Sequence, residues 1–445
     1  MSKVTNPRQL AVLTLSSLEA TEDFLREVLD LHLRENDLSS LDQGLYTELV
    51  YGTVRMQKNL DYVLSLFSKR PLHKLKPNVL NTLRVGAYQI LYLDRVPDSA
   101  AVNEAVKLAR LFEHQGVANF TNAILRQVVK NQKQIAYPPF EARPVEHLSL
   151  RYSFPEWVIE QWIGQWGFEE TEALCLAMNQ PPELHVRTNT LRITQEKLTD
   201  YLEQQGVHVE SGRYAPEVLR VKPANKVLQD SALSQGLYYI QDESSVLAGH
   251  ALQVQSGQQV YDLCSAPGGK TTHLAQLMED RGGILAFDVN SARLAVVEEN
   301  ARRLGISIIT TKTGDATQPL GLKPAPRVLV DAPCSGLGTM RHRPDIRWRK
   351  NLHELEQLQN IQRKILDTAS NYVQSGGFLV YSTCTLTEQE NQEVARWFLA
   401  SRNNFVSQPL PSWFPQNREE PDWYRTFLPH RHHLDGFFVA VFRKL

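Results

Sequence analysis

Short apolar runs separated by stretches of helix length fill the sequence from about residue 237 onward, and this alternation constrains the fold more than any other feature. The runs occupy 260–263, 284–288, 328–331 and 378–381. Each ends in polar, glycine or proline residues, which is typical of buried strands that turn into helices. The pattern predicts a parallel, doubly wound α/β sheet of the Rossmann-like kind for residues 237–445.

Proline-marked breaks at 137–140 and 179–182 divide the rest of the chain. Before the first break, apolar side chains recur at helical spacing and strand-like alternation is scarce, which predicts an all-α domain over 1–140. Between 145 and 236, strand-like runs at 184–188 and 218–221 and a helix near 195–205 predict a small α+β domain. We therefore predict a multidomain protein with domains 1–140, 145–236 and 237–445.

Charge and hydropathy exclude several classes of protein. With 48 Lys and Arg against 49 Asp and Glu, the net charge of −1 excludes a uniformly basic nucleic-acid coat and an acidic disordered tail. Residues 51–140 nevertheless carry 13 basic and 5 acidic side chains, which form either a patch that meets phosphate or the solvated faces of helices. No apolar run approaches the roughly 18 residues that cross a bilayer, and the N-terminus lacks the apolar core of a signal peptide. We expect a cytoplasmic protein without a membrane partner.

A loop at the end of the first strand of the predicted sheet has the form of a cofactor site. Gly268 and Gly269 permit a tight strand-to-helix turn and close approach of a ligand to the main chain. The loop is neither a P-loop nor G-x-G-x-x-G, so a phosphate or pyrophosphate site is excluded. Asp288 ends the second strand, where a carboxylate can accept hydrogen bonds from ribose hydroxyls. The spacing favours an adenosine-type cofactor without pyrophosphate, against the alternative of a glycine turn and a helix-capping Asp.

Three further polar side chains follow later strands. Asp315 comes after the third strand, where it either bonds an adenine amino group or caps a loop. Cys334 and Cys384 follow the fourth and fifth strands, which are neighbours in a doubly wound order, so both thiols can flank one pocket. A thiolate is a strong nucleophile and a serviceable leaving group, which suits covalent activation of C5 of a pyrimidine. The alternative is that both cysteines only pack at strand ends.

Four segments together carry a resemblance to a known family. They are Pro-Gly-Gly-Lys at 267–270, Asp-Ala-Pro-Cys-Ser-Gly at 331–336, Ser-Thr-Cys-Thr at 382–385 and His-Leu-Asp-Gly-Phe-Phe at 433–438. In this combination the chain resembles the bacterial Sun/Fmu-type 16S ribosomal RNA cytosine-C5 methyltransferases. Segments 49–52, 102–106 and 121–126 resemble the NusB-like helical RNA-binding domain of that family. The middle domain is then expected to be RRM-like.

The resemblance implies roles for the residues at matching positions. The S-adenosylmethionine site would consist of Cys264, Ser265, Ala266, Pro267, Gly268, Gly269, Lys270, Asp288, Asp315 and Asp331. Cys384 would be the nucleophile, and Cys334 would assist breakdown of the covalent adduct; Cys334 is also the second candidate for attack, as in DNA cytosine methyltransferases. Asp331 would bond the cytosine edge, and Lys270 would position the base or a nearby phosphate.

The expected partner is 16S ribosomal RNA, free or in a partly assembled small subunit, modified at a single cytosine by a monomer. A basic run after the Pro-Cys segment is predicted to contact this RNA at the rim of the active site, unless it is a solvated helix start. It contains Arg341, Arg343, Arg347, Trp348 and Arg349. No metal is expected, because neither the cysteines nor the cluster of His430, His432 and His433 has ligand spacing.

Three alternative functions are considered, and the sequence argues against the second and the third. The first is cytosine-C5 methylation of another RNA such as tRNA, and the second is a non-catalytic RNA-binding assembly factor. The third, a nicotinamide-dependent oxidoreductase, would be expected to show the pyrophosphate loop that the sequence lacks.

Overall fold

The computed structural model describes residues 3–417 and 419–445. The chain folds into two compact units, each formed by two segments. The first unit comprises the chain up to Asn179 together with His342–Arg349, and the second comprises Gln180–Arg341 and Lys350–Leu445. These two compact units do not correspond one to one to the three predicted domains. The predicted division at 140 and 236 therefore stays a prediction.

Helices account for most of the first unit and flank the sheets of the second. In chain order they are α1 (Pro7–Ala20), α2 (Leu25–Glu35), α3 (Ser40–Arg55), α4 (Gln57–Phe67), α5 (Pro77–Tyr92), α6 (Asp98–Phe112), α7 (Gln115–Asn131), α8 (Pro144–Tyr152), α9 (Glu156–Trp166), α10 (Phe168–Asn179), α11 (Gln195–Gln204), α12 (Ala224–Leu228), α13 (Ser231–Ser234), α14 (Glu243–Ala251), α15 (Gly269–Leu277), α16 (Ser291–Leu304), α17 (Ile346–Arg349), α18 (Leu352–Ser370), α19 (Gln392–Ser401) and α20 (Pro429–His432). Single 3-10 turns occupy Leu72–Lys74, Gln132–Gln134 and Leu337–Thr339.

All strands that the described residues form lie in the second unit. They are β1 (Leu184–Thr188), β2 (His208–Ser211), β3 (Val218–Lys222), β4 (Tyr238–Ile240), β5 (Gln259–Asp262), β6 (Gly283–Asp288), β7 (Ile309–Thr313), β8 (Ala325–Asp331), β9 (Val373–Thr383), β10 (Phe405–Ser407), β11 (Tyr424–Phe427) and β12 (Phe437–Lys444).

The first unit is the predicted all-α domain, extended by four more helices, which are α8, α9, α10 and α17. Helix α1 begins where Pro7 supplies a preset backbone angle and the Asn6 side chain accepts the backbone N–H groups of Arg8 and Gln9. Helices α1, α3 and α5 pack on one another around fully buried side chains such as Leu49 and Leu83. Among the residues that the structure describes, no helix is long and apolar enough to cross a membrane.

A four-stranded antiparallel sheet with the order β2-β3-β1-β4 begins the second unit. The predicted strands at 184–188 and 218–221 and the helix near 195–205 are confirmed as β1, β3 and α11. Strands β2 and β4 are missing from the prediction because β2 is a polar, exposed edge strand and β4 has only three residues. One sheet flanked by short helices is the α+β architecture that the sequence predicts.

The larger sheet confirms the doubly wound prediction. Its order is β10-β12-β9-β8-β5-β6-β7, with β11 on β12. The five strands from β9 to β7 in this order are parallel, and β12 runs antiparallel to β9 at one side. Strands β8 and β9 are neighbours, with Asp331 opposite Ser382 in the register. Their carboxyl ends, and the loops that follow, therefore meet at one edge of the sheet.

Candidate active site

Two thiols face each other at the carboxyl ends of β8 and β9. The Sγ atoms of Cys334 and Cys384 are 3.4 Å apart, close enough for one thiol to bond the other. Both side chains are half-buried and neither is in a disulfide. The structure thus brings together the two cysteines that lie 50 residues apart in the sequence.

The surroundings of the two thiols are electrostatically unequal. The hydrogen bond with Cys384, burial and the carboxylate of Glu390 all raise the pKa of Cys334 well above its ordinary value. The ammonium of Lys270 interacts with the charge of Cys384. These neighbours therefore disfavour a negative charge on Cys334.

An ion pair lies beside the thiols. Lys270 Nζ donates to Asp331 Oδ2 at 2.8 Å, and the hydroxyl of Ser382 donates to Asp331 Oδ1 at 2.8 Å. The same ammonium lies 5.0 Å from the centre of the Phe437 ring. Burial lowers the pKa of Lys270, but the Asp331 carboxylate outweighs burial and raises it overall, so the lysine is a fixed cation.

The predicted cofactor loop makes the strand-to-helix turn that its glycines suggest. Gly268 has a φ of +101°, and a Cβ there would lie 3.2 Å from the Cα of Val297. Ser265 donates its backbone N–H and its hydroxyl to the Phe287 carbonyl, at 2.7 and 3.0 Å. These bonds hold the loop against the end of β6, where Asp288 stands.

The two acids assigned to the cofactor have different settings. Asp288 is buried, accepts the Asn290 N–H at 2.9 Å and faces Arg293 at 3.4 Å. Asp315 is exposed, and its Oδ1 accepts both the backbone N–H and the hydroxyl of Thr317 at 2.8 and 2.7 Å. Asp315 therefore makes the loop-capping bonds of the structural alternative, and its contact with adenine stays a prediction.

S-adenosylmethionine fits the residues at this edge of the sheet. The positive φ of Gly268 and the 3.2 Å approach of its Cβ position to Val297 disfavour a side chain, and without one the turn can offer its main chain to a ligand. Asp288 offers a carboxylate at the end of the second parallel strand, where ribose hydroxyls are bound in such folds. The loop residues Cys264 to Lys270, Asp288 and Asp331 are the groups that would hold it.

Sequence reasoning missed two buried residues of the site, Asp262 and Glu390. Asp262, at the end of β5, accepts the Thr271 hydroxyl at 2.7 Å, and burial raises its pKa to about 7. Glu390 accepts hydrogen bonds from the loops of both cysteines. Asp262 precedes the cofactor loop directly, which is a detectable signal; Glu390 stands in a polar segment that carries none.

The terminal signature segment is explained by a close backbone contact. A Cβ on Gly338 would lie 1.9 Å from the carbonyl oxygen of Gly436. The Gly338 N–H donates to the Cys384 carbonyl at 2.9 Å, and the Gly436 N–H donates to the Gly338 carbonyl at 3.0 Å. These bonds join the two cysteine loops to the start of β12 and so bring Phe437 to Lys270.

The predicted RNA-contacting run is partly buried; the prediction is wrong for Arg347, and it stays a prediction for the half-buried Trp348. Arg347 is 0% exposed, and its guanidinium donates to the carbonyls of Arg55, Ser153 and Met178 and to the side chain of Asn179. The Trp348 indole N–H donates to the Val54 carbonyl at 2.8 Å, inside the helical unit. The Arg347 side chain is therefore used in packing rather than presented to a ligand, whereas the half-buried Trp348 engages its indole N–H.

The other three arginines of the run differ from one another. Arg341 is buried in the second unit, with its guanidinium 3.5 Å from the Leu434 carbonyl. Arg349 donates to the carbonyls of Glu22 and Asp23 and lies 3.3 Å from Asp345. Arg343 is exposed, and RNA contact stays a prediction for it. Burial contradicts the rim contact for Arg341, whereas Arg349 is half-buried and RNA contact stays a prediction for it.

Glu217, His250 and His273 in the second unit place ligand-type atoms within 4.8 Å of one another. Both histidine Nε2 atoms lie at hydrogen-bond distance from Glu217 Oε1, at 2.8 and 2.6 Å. Burial lowers the pKa of His273 to about 4, so this ring is neutral near pH 7 and donates a hydrogen bond to the carboxylate. The triad joins α14, α15 and the segment before β3.

The C-terminal histidine cluster contains His432, whose ring accepts the Leu428 N–H at 2.8 Å.

Three family models match the chain. A model described as 16S rRNA methyltransferase RsmB/F matches residues 249–443. A NusB family model matches residues 5–130, and a model of the RsmF/B-like ferredoxin-like domain matches residues 154–228. The three models follow the chain order all-α, small α+β and α/β.

Curated relatives match along the whole chain. A probable ribosomal RNA small subunit methyltransferase B from Bacillus subtilis (strain 168) is 36% identical over 451 residues, covering 99% of each chain. The protein of the same description from Synechocystis is 36% identical and covers 98% of this chain and 99% of its own. A solved structure of NSun6 from Pyrococcus horikoshii with SFG matches at a TM-score of 0.60 and 25% identity, over 66% of this chain and 99% of its own.

Fold, cofactor loop and relatives define the class: the protein is an enzyme, an S-adenosylmethionine-dependent methyltransferase with a Rossmann-like catalytic domain. Its N-terminal part is NusB-like and its middle part is ferredoxin-like. The chain belongs to the family of ribosomal RNA small subunit methyltransferase B.

Proposed function

We propose that the protein methylates C5 of a single cytosine in 16S ribosomal RNA through a covalent adduct between Cys384 and C6. The observation that carries the proposal is the 3.4 Å approach of Cys334 Sγ and Cys384 Sγ at the cofactor-bearing edge of the sheet. Methyl transfer to an amino nitrogen needs no thiol, whereas C5 of cytosine is a poor nucleophile until a thiolate adds to C6. The named function of the curated relatives supports the choice of ribosomal RNA.

Electrostatics support Cys384 as the attacking thiol. The ammonium of Lys270 lies within reach of its charge, while Cys334 faces the carboxylate of Glu390. A thiolate next to a cation forms more readily than one next to an anion. Cys334 therefore remains the protonated partner while Cys384 attacks.

The same geometry supports a later role for Cys334. The thiolate of Cys384 adds to C6, and the electron pair of the C5–C6 bond moves toward C5. S-adenosylmethionine supplies the methyl group when it is bound. Once Cys384 Sγ is bonded to carbon, it no longer carries the charge or the hydrogen bond that raise the pKa of Cys334. Cys334 then ionises more readily and takes the C5 proton, and cleavage of the C6–S bond restores the aromatic ring.

Two further residues of the site act on the substrate in this proposal. Asp331, held by Ser382 and Lys270, bonds the edge of the cytosine. Lys270, paired with Asp331 at 2.8 Å, supplies positive charge beside the base. The base must be unpaired or flipped to reach this site, as base-modifying enzymes require. We also propose that the enzyme acts as a monomer, in the cytoplasm, without a metal ion, on free or partly assembled 16S RNA.

A denaturing gel of protein mixed with 16S RNA and S-adenosylmethionine tests the proposal. We expect the Cys334→Ala protein to accumulate a covalent complex, because the adduct forms but its C5 proton is not removed. The Cys384→Ala protein, the matched control, should form none and should transfer no methyl group.

Each other pattern contradicts a defined part of the proposal. An adduct in Cys384→Ala alone would make Cys334 the nucleophile. An adduct with tRNA and none with 16S RNA would favour the alternative substrate. If the wild type and both variants bind the cofactor fully but form no adduct and transfer no methyl group, a non-catalytic assembly factor would be favoured.

A further inference from the structure

A buried carboxylate connects the loops that carry the two thiols. Glu390 is 0% exposed and lies between Cys384 and helix α19. Its Oε1 accepts the backbone N–H of Ser335 at 2.8 Å, and its Oε2 accepts the Ser335 hydroxyl at 2.6 Å. Ser335 directly follows Cys334, so two hydrogen bonds hold the Cys334 loop.

The same carboxylate holds the other loop. Oε2 accepts the hydroxyl of Thr387 at 2.8 Å and that of Thr385 at 3.3 Å, and Thr385 directly follows Cys384. The hydroxyls of Ser335 and Thr385 are themselves 2.6 Å apart. The residues next to the two thiols thus converge on one carboxylate.

This carboxylate is satisfied by neutral groups. Its hydrogen-bond donors among the described residues are the hydroxyls, one backbone N–H and the Gln362 amide, at 3.1 Å. Keeping a charge buried among neutral donors costs solvation free energy that a neutral side chain would not lose. The five hydrogen bonds that Glu390 accepts offset this cost, and they hold the two cysteine loops in place.

We propose that Glu390 is the positioning residue that fixes the separation of Cys334 and Cys384, through Ser335 and Thr385. The assignment rests on the proposed covalent function. It adds a residue that touches neither the RNA base nor the cofactor and acts only through the cysteine loops. The neighbouring Asn391 also holds the Cys384 loop. Its amide donates to the Thr385 carbonyl at 3.0 Å, and its oxygen accepts the Thr383 hydroxyl.

The charge of Glu390 has a second effect in the same direction. It contributes to the raised pKa of Cys334, behind the Cys384 hydrogen bond and burial. A glutamine would keep much of the packing and one acceptor oxygen but would remove that charge. Spacing and charge can therefore be separated by comparing Glu390→Gln with Glu390→Ala.

The test uses the full-length protein and a matched buried glutamate. Glu243 is also 0% exposed and accepts backbone N–H groups, from Arg213, Tyr214 and Ala215. Glu390→Ala, Glu390→Gln and Glu243→Gln are compared in three assays: cofactor binding, single-turnover methyl transfer, and disulfide formation between Cys334 and Cys384 driven by diamide. In the last reaction the two thiols lose two electrons and two protons and form one S–S bond, while the azo reagent is reduced to its hydrazine. Peptide mass spectrometry counts the product.

We expect Glu390→Ala to slow both methyl transfer and disulfide formation by about 10- to 100-fold, because a misplacement of about 1 Å costs rates of that size. Glu390→Gln should recover part of both rates and should shift alkylation of Cys334 by iodoacetamide to lower pH. Cofactor binding should stay within about two-fold in both variants, and Glu243→Gln should form the disulfide at the wild-type rate.

Disulfide formation at the wild-type rate in Glu390→Ala would overturn the proposal, whatever happens to methyl transfer. So would an equal slowing in Glu243→Gln, since it would show that any loss of a buried carboxylate loosens the unit. The disulfide assay needs no RNA, so it distinguishes failure of this proposal from failure of the covalent mechanism, which the adduct gel reports.

Discussion

The side chains at the carboxyl edge of the sheet differ in charge: an ion pair lies beside two thiols. Lys270 and Asp331 form a fixed ion pair at 2.8 Å, while the two thiols share a contact in which only one can easily be ionised. In the proposed covalent cycle, the protonation states of the two cysteines are set by their neighbours. Asp288 has a different proposed task, at the end of β6, where it pairs with Arg293 and makes no contact with the thiols among the described bonds.

Replacing Asp288 by Ala should chiefly weaken cofactor binding. The loss of a charged acceptor for ribose hydroxyls corresponds to about 1.5 to 3 kcal/mol, or a Kd about 10- to 100-fold higher by calorimetry. RNA affinity should be nearly unchanged. Asp315→Ala is the control: its carboxylate already accepts two bonds from Thr317, so we expect a smaller effect on the cofactor. Equal losses of cofactor and RNA affinity in Asp288→Ala would contradict the ribose role.

At the level of helices and strands, the sequence predicts the parts of the fold that have strong local signals. The apolar runs of β5, β6, β8 and β9 are buried on both faces, so they read clearly as strands. Short or polar edge strands such as β2 and β4 carry no such signal. Helix α17 shows the opposite error, because its arginines look like a surface patch until tertiary contacts bury Arg347.

The candidate site divides along the same lines. The glycine loop, Asp288 and the two cysteines follow predicted strands directly, and topology then dictates that they meet at one edge. Glu390 is brought to the cysteines only by the path of the chain between β9 and α19, which local patterns do not encode. The Gly338 and Gly436 contact is equally invisible in sequence, because it joins residues almost a hundred positions apart.

The turn at Leu337–Thr339 should be intolerant of any side chain at Gly338. In Gly338→Ala, the new Cβ would meet the Gly436 carbonyl at 1.9 Å, so either the turn or the start of β12 must shift. We expect a loss of about 2 to 4 kcal/mol in the free energy of unfolding, measured by urea denaturation, and a loss of methyl transfer. Gly44→Ala, in helix α3 with nothing within 4 Å of its Cβ, should be neutral or stabilising by about 1 kcal/mol. Equal stability of the two variants would contradict the close contact.

Over the whole molecule, near-zero net charge hides an uneven distribution. The helical stretch 51–140 carries most of the excess positive charge, and Lys69, Arg70 and Lys74 are exposed around one 3-10 turn of it. A local basic patch on a protein with a net charge of −1 would allow RNA to be bound in one place without general adhesion.

Changing Lys69, Arg70 and Lys74 to Gln should flatten the salt dependence of RNA binding. Each lost phosphate contact lowers the slope of log K against log salt by about 0.7 to 0.9, so the slope should fall by roughly 2. The charge-matched control replaces three exposed lysines of the second unit, Lys197, Lys222 and Lys323. A slope that stays unchanged in the helical variant, or that falls as much in the control, would favour solvated helix faces over a phosphate contact.

Eight residues, His342–Arg349, belong to the helical unit although they lie within the sequence of the methyltransferase domain. The Arg347 guanidinium donates hydrogen bonds to the carbonyls of Arg55, Ser153 and Met178. Its buried partners therefore come from distant parts of the chain. The helical unit is thus not a detachable module in the genetic sense. A gene fragment that begins after residue 179 encodes Arg347 without its buried partners. Recombination that exchanges only the N-terminal segment must therefore also preserve residues His342–Arg349.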